Sequence, residues 1–198
     1  MFIKRIFDIV IALLGLIFLS PLLAIISLLI LIKMKRPVLF LHKRVGRGGS
    51  DFLLYKFRTM EDLPEAREGR FDAGSKSRVT PVGKVLRKYK VDELPQLLNV
   101  LKGDMSFVGP RPEVRKWTEV HTDKWDIVLK VKPGITDKAS IQFRNEEDIL
   151  AQSTNPDLTY KEVILPQKLD INISYVNNRS FFMDLDIILN TLLAIVRK

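Results

Sequence analysis

Asp92 and Glu93 are an adjacent carboxylate pair in a setting suited to phosphate chemistry. Ahead of them, Lys76, Arg78, Lys84, Arg87, Lys88 and Lys90 follow one another with no acid between. Acids in the first turn of a helix complement its dipole, and that alone would explain the pair. Six cations before two carboxylates, however, assemble a site for a polyanion such as a diphosphate. Paired carboxylates can also hold Mg²⁺, which bridges phosphate oxygens and neutralises developing charge. More cations stand in stiff settings. Arg111 lies between Pro110 and Pro112, Lys56 and Arg58 close a β-prone run, and Arg144 follows the turn Lys132-Pro133-Gly134. The guanidinium fork suits bidentate phosphate recognition, although each arginine taken singly reads first as a surface ion pair.

The elements that must position these groups show in the apolar pattern. Leu94, Leu97, Leu98 and Leu101 recur at helical spacing, and Gly103 closes that helix. Pro95 is tolerated only in a first turn, so the helix is expected to begin near Val91-Asp92. Val38–Leu41 and Phe52–Phe57 are short β-prone runs around Gly46-Arg47-Gly48-Gly49-Ser50, which predicts a hairpin. Those glycines lack the lysine-serine ending of a phosphate-binding loop, and no helix follows them. The polar stretch from Glu61 to Ser77 is expected to be a loop. Helices are expected over Glu113–Lys130, over Lys161–Asn177 with an interruption at Pro166, and over Phe181–Val196. The charged and polar breaks in the last predict a core or interfacial helix. The fold class is therefore α+β, mostly helical with a short β-hairpin.

The chain has no cysteine, which excludes disulfides, thiolate metal sites and a cysteine nucleophile. His42 and His121 are isolated, so metalloprotease spacing is absent. The 24 residues from Ile9 to Ile32 carry no charge. As a helix they would extend about 36 Å, enough for a hydrocarbon core of roughly 30 Å. Basic residues bracket them: Lys4, Arg5, Lys33, Lys35, Arg36, Lys43, Arg44 and Arg47, against Asp8 alone, supply seven of the nine net positive charges. Such clustering suits an anionic membrane surface rather than nucleic acid. Ser20-Pro21 at the midpoint predicts a kink. The residues alone leave two arrangements open, a spanning helix with a tolerated proline and a helix-break-helix that re-enters the same face.

The run Asp92-Glu93-Leu94-Pro95-Gln96-Leu97-Leu98-Asn99 through Gly103-Asp104-Met105-Ser106-Phe107-Val108-Gly109-Pro110-Arg111-Pro112 resembles the signature of the bacterial sugar transferases, the small monotopic phosphoglycosyl transferases. Tyr55-Lys56-Phe57-Arg58-Thr59-Met60 and Lys132-Pro133-Gly134-Ile135-Thr136 are similar to two further blocks of that family. The resemblance implies a re-entrant membrane helix over residues 1–36, amphipathic interfacial helices, and a catalytic domain over residues 37–198 on the cytoplasmic face of the inner membrane. It implies transfer of a sugar-1-phosphate from a UDP-sugar to undecaprenyl (polyprenyl) phosphate, with UMP released and Mg²⁺ required. Asp92 is then the nucleophile that forms a covalent phosphosugar intermediate, and Asp92 and Glu93 hold the metal. Lys56, Arg58, Arg87, Arg111 and Arg144 become substrate ligands, and later glycosyltransferases of a surface-glycan pathway become possible partners. Placement among cations at a helix start predicts a low pKa for Asp92. The chain departs from the family pattern at Lys90, where a serine or threonine often stands, and at Asp137-Lys138, where many members read glycine and then Ala-Gln.

Overall fold

The computed structural model describes residues 2–61 and 78–196. The polar stretch that follows Glu61 lies outside them. The first helix, α1 (Phe2–Met34), continues across Ser20-Pro21. Pro21 has no amide for the Ile17 carbonyl, and the Ser20 hydroxyl donates to that oxygen instead at 2.8 Å. The expected interruption is thus one missing backbone bond, bridged by the neighbouring side chain. One face of α1 packs inward: Ala12, Leu16 and Leu19 meet Leu54, Leu97 and Met105. Further along, Leu23, Ile26 and Ile30 meet Phe57 and Leu86. The other face leaves Val10, Ile17, Phe18, Ile25, Leu28 and Ile32 exposed.

Both ends of α1 are tied to the same body. Lys4 donates to the Val108 carbonyl at 2.9 Å and pairs with Asp184. Arg5 reaches the carbonyls of Val100 at 2.6 Å and Leu101 at 2.9 Å, and Asp8 accepts from the Phe107 amide at 3.1 Å. At the far end Arg58 donates to the carbonyls of Met34, Lys35 and Arg36. Met34 carries one of the C-terminal carbonyls that a helix leaves without partners, and Lys35 and Arg36 are the two residues that follow it.

Strands β1 (Leu39–Val45) and β2 (Asp51–Phe57) pair antiparallel, with Leu39 opposite Phe57 and Val45 opposite Asp51. The hairpin is present, but β1 runs on through His42-Lys43-Arg44, whose polarity hid it. Gly48 and Gly49 make the turn at φ of 70° and 76°, a region that favours glycine. Helix α2 (Pro81–Lys88) was not visible in its basic sequence, yet Thr80 caps it by accepting from the Gly83 amide at 2.9 Å. Gly83 is required there because a Cβ would stand 2.0 Å from the Thr59 carbonyl oxygen.

The helix expected from Val91 is divided. Lys90 adopts a left-handed φ of 56°, Val91–Glu93 form a single 3-10 turn, and α3 (Gln96–Lys102) begins after Pro95. Gly103 ends α3 at φ 93°, as expected. Strand β3 (Ser106–Val108) then lies parallel to β4 (Gly134–Thr136), a pair too short to show in the sequence. The expected helix over 113–130 is two, α4 (Arg115–Thr118) and α5 (Thr122–Val128), separated by a left-handed His121. Short helices α6 (Lys138–Gln142), α7 (Glu146–Ala151) and α8 (Pro156–Thr159) follow. A π-turn, Tyr160–Ile164, leads into α9 (Leu165–Asn178), which carries Pro166 in its first turn. The last helix is α10 (Phe181–Val196). Trp117, Trp125, Leu150, Tyr160, Leu165 and Leu169 form a core far along the chain from α1.

Candidate active site

Three local devices bring the two acids and their cations together. Asn99, fully buried in α3, accepts from the Tyr55 amide at 3.0 Å and donates to the Leu53 carbonyl at 2.7 Å. Its amide group thus extends the edge of β2 onto α3 and holds Lys56 beside the 3-10 turn. Gly109 and Gly134 cross so closely that a Cβ on Gly134 would lie 2.2 Å from the Gly109 nitrogen. The Gly109 amide donates to Thr136 at 3.1 Å and the Gly134 amide to Pro110 at 3.0 Å. This crossing fixes the Pro110-Arg111-Pro112 loop. The third device is the seat of α2 on Thr59, where the Arg87 Nε donates to the Thr59 hydroxyl at 2.9 Å.

Glu93 is the most tightly held group of the site. Its Oε1 accepts from Lys56 at 2.8 Å and from Arg111 at 2.5 Å. Burial alone would raise its pKa, but Arg111 and Lys56 outweigh burial and hold the carboxyl far below its usual range. Arg111 is raised in turn, chiefly by Glu93, and Lys56 is lowered because burial exceeds the attraction of Glu93. Asp92 stands in the opposite condition. It is 7% exposed, and its Oδ1 is buried without a hydrogen-bond partner among the described residues. Its pKa is raised, first by burial and then by the charge of Glu93, with Lys56, Lys90 and Arg87 opposing. The low pKa expected from the sequence is therefore corrected: desolvation outweighs the surrounding cations.

Of the other expected ligands, Arg87 sits close enough to act on Asp92, and Lys56 and Arg111 join the Glu93 cluster. Arg58 does not join it, since the residue is 8% exposed and its guanidinium is committed to the carbonyls of Met34, Lys35 and Arg36 at the end of α1. Arg144 takes no part in the Glu93 ion pairs and instead lines a groove between α6 and α10.

Residues that sequence reasoning passed over support the cluster. Along β1, Phe40, His42 and Arg44 share a face, and Lys56 lies opposite Phe40. Arg44 donates to the Pro112 carbonyl at 3.5 Å and pairs with Glu113 at 3.3 Å. Glu113 also accepts from the Tyr160 hydroxyl at 2.5 Å and lies 3.8 Å from Lys168, so the chain after Arg111 is pinned to the distant core. His42 is pushed down to about 4 by burial and by Arg44 and Lys56, which leaves a neutral ring against Arg44 at 3.3 Å.

A divalent cation fits this arrangement within limits. The Asp92 Oδ1 is uncommitted, and the ion pairs of Glu93 fall on Oε1, leaving Oε2. No cluster of three or more His, Asp or Glu side chains suited to a metal exists among the described residues. Mg²⁺ held here would draw the rest of its octahedral shell from phosphate oxygens and water.

An acid pair of opposed character is thus enclosed by cations and carried on a body flanked by a long apolar helix. The chain belongs to the bacterial sugar transferase family, whose model matches residues 1–198. It is 37% identical over 198 residues to a UDP-N-acetylgalactosamine-undecaprenyl-phosphate N-acetylgalactosaminephosphotransferase of Aeromonas hydrophila, covering 98% of this chain and 44% of that protein. It is 37% identical over 188 residues to the uncharacterized sugar transferase EpsL of Bacillus subtilis, covering 95% of this chain and 84% of that one. An undecaprenyl-phosphate galactose phosphotransferase of Salmonella typhimurium is 42% identical over 165 residues, covering 74% of this chain and 34% of that protein.

Proposed function

We propose that this chain transfers a sugar-1-phosphate from a UDP-sugar to a polyprenyl phosphate, with Asp92 as a covalent nucleophile and UMP as the first product. The observation that carries the reading is the unpartnered, buried Oδ1 of Asp92 beside a Glu93 already neutralised by Lys56 and Arg111. Relatives that act on undecaprenyl phosphate supply the substrate class. The Asp92 carboxylate attacks the phosphorus that bears the sugar, an O–P bond forms, and the bond to the UMP oxygen breaks. An oxygen of polyprenyl phosphate then attacks the same phosphorus and releases Asp92. Lys56, Arg87 and Arg111 bind and orient the diphosphate, while Glu93 keeps Lys56 and Arg111 in place. Mg²⁺ held by Asp92 and Glu93 with the diphosphate would neutralise charge on the leaving phosphate.

The structure also supports a one-sided, monotopic attachment. A 33-residue helix is about 50 Å long, yet the body grips it at Lys4, Arg5 and Asp8 and again at Met34–Arg36. A spanning helix would carry one of those grips across roughly 30 Å of hydrocarbon. An arrangement with both ends on one face, the cytoplasmic one where the nucleotide-sugar is made, keeps every contact. The deciding experiment is UMP release in detergent from a panel of UDP-sugars with polyprenyl phosphate, with Mg²⁺ and with EDTA. Release with one or more donors, dependent on metal, is expected; no release with any donor would overturn the reading.

A further inference from the structure

The two side-chain amides of α3 stand in contrasting conditions. Asn99 commits its whole amide to the fold: Oδ1 accepts from the Tyr55 amide, and Nδ2 donates to the Leu53 carbonyl and to Asp104 at 3.3 Å. Gln96 is 2% exposed, yet its Nε2 is buried without a hydrogen-bond partner among the described residues. A fold that keeps an unpaired buried donor gives up stability, so the group calls for a partner from outside the chain. Asp92 Oδ1 is the other such atom between residues 91 and 102. Leu94 and Pro95 keep right-handed helical angles between the 3-10 turn and α3, so Asp92 and Gln96 fall one turn apart on one side of a continuous path. Helical side chains lean toward the N-terminus, which carries the Gln96 amide back over the turn that bears Asp92 and Glu93. Glu93 meanwhile takes its hydrogen bonds from Lys56 and Arg111, and none from Gln96.

We propose that Gln96 is a further catalytic residue, whose side-chain amide donates a hydrogen bond to a non-bridging oxygen of the phosphoryl group transferred through Asp92. The inference deepens the nucleophile reading above and rests on it. The two unpaired atoms are complementary, since Oδ1 accepts and Nε2 donates, and one phosphoryl group satisfies both. As Oδ1 forms its bond to phosphorus, the bond to the UMP oxygen breaks and its electron pair leaves with UMP. Gln96 supplies a hydrogen bond throughout and gives up no proton. A neutral donor suits this place: Lys56 and Arg111 are paired with Glu93, and a cation bonded to Oδ1 would tie down the attacking oxygen. An amide held in advance in a buried setting stabilises charge on the phosphoryl oxygens without having to reorganise. A water bridging Gln96 and Asp92 is the competing occupant, and the variants below separate the two.

The test replaces Gln96 in the full chain by Met, which keeps the unbranched shape and removes the donor. A second variant, Gln96→Leu, tells loss of the amide apart from a packing fault. UMP release from a UDP-sugar with Mg²⁺ is followed in a single turnover without acceptor and in steady state with polyprenyl phosphate, beside thermal melts. Both variants should form UMP about 10²-fold more slowly in the single turnover, the scale for removing one preorganised donor from a transition state. In steady state kcat should fall while KM for the UDP-sugar holds, because the contact is made to the transferring group. Melting temperatures should hold or rise, since an unpaired buried donor has been removed. Unaltered rates in both variants would assign the amide to a water and overturn the proposal. A slow rate in one variant only, or a melting temperature that falls with the rate, would assign it to packing and overturn the proposal equally. So would a raised KM at unchanged kcat. The two claims separate on the unaltered protein: no UMP without acceptor defeats the nucleophile reading itself, whereas normal release there and in both variants defeats the role of Gln96 alone.

Discussion

The two sides of one 3-10 turn differ more than their sequence suggests. On one side Glu93 faces the hairpin and the Pro110–Pro112 loop and accepts from two cations. On the other Asp92 faces the end of α2 with a bare oxygen and a raised pKa. Adjacent acids in one field are thus driven apart, one to hold the architecture and one to remain reactive. An acid already paired with two cations is a poor nucleophile, whereas a desolvated, unpaired carboxylate has lost the hydration that blunts it.

The comparison breaks most sharply at Asp92. Asp92→Asn should lower turnover by roughly 10³-fold or more, as expected for a nucleophile. It should also raise the melting temperature at neutral pH, because a buried charge is removed without changing shape. The sign follows from linkage: a folded pKa above the unfolded one adds stability at low pH, which is lost as pH rises through the folded value. Glu93→Gln should do the reverse and destabilise by about 3–5 kcal/mol in denaturant titrations, since it strands Lys56 and Arg111. With its folded pKa depressed, Glu93 contributes stability above its ordinary pKa, and that contribution fades as acid approaches the folded value. A melting temperature insensitive to both substitutions would dissolve the distinction.

A smaller effect lies in the pH dependence of kcat/KM. Its acid limb should fall above the ordinary aspartate range, because the raised group is Asp92, and Asp92→Asn activity remnants should lack that limb. A limb at or below the ordinary range would assign the reactive carboxylate to Glu93. Smaller again is Glu113→Gln. It keeps the Tyr160 contact but weakens the hold on Arg44, and thereby on Pro112 and Arg111. A rise in KM for the UDP-sugar of about tenfold is expected, consistent with about 1–2 kcal/mol for loss of charge in a hydrogen-bonded pair. An unchanged KM with a lowered melting temperature would make Glu113 purely structural.

Much of this was legible in the chain. The α3 leucines and Gly103, the hairpin glycines, the apolar α1 and the α10 pattern are local signals, and each element formed. What stayed hidden depends on pairs distant in sequence. Nothing near Asn99 shows that its amide completes the edge of β2, and nothing near Gly109 shows that it crosses Gly134. Arg58 sits in a block that reads as phosphate-binding, but only the position of the α1 end reveals it as the cap of that helix. The direction of the Asp92 shift was also out of reach, because charges can be counted along a sequence whereas burial cannot.

The most direct test of the account is a single-substrate incubation. Full-length protein mixed with its UDP-sugar donor and Mg²⁺, without polyprenyl phosphate, should release about one UMP per active site. Mass spectrometry of the digest should place one added sugar phosphate on the peptide containing Asp92, and Asp92→Asn should lose both signals while remaining folded. UMP that appears only once the lipid acceptor is added, with no adduct on that peptide, would contradict the covalent role of Asp92.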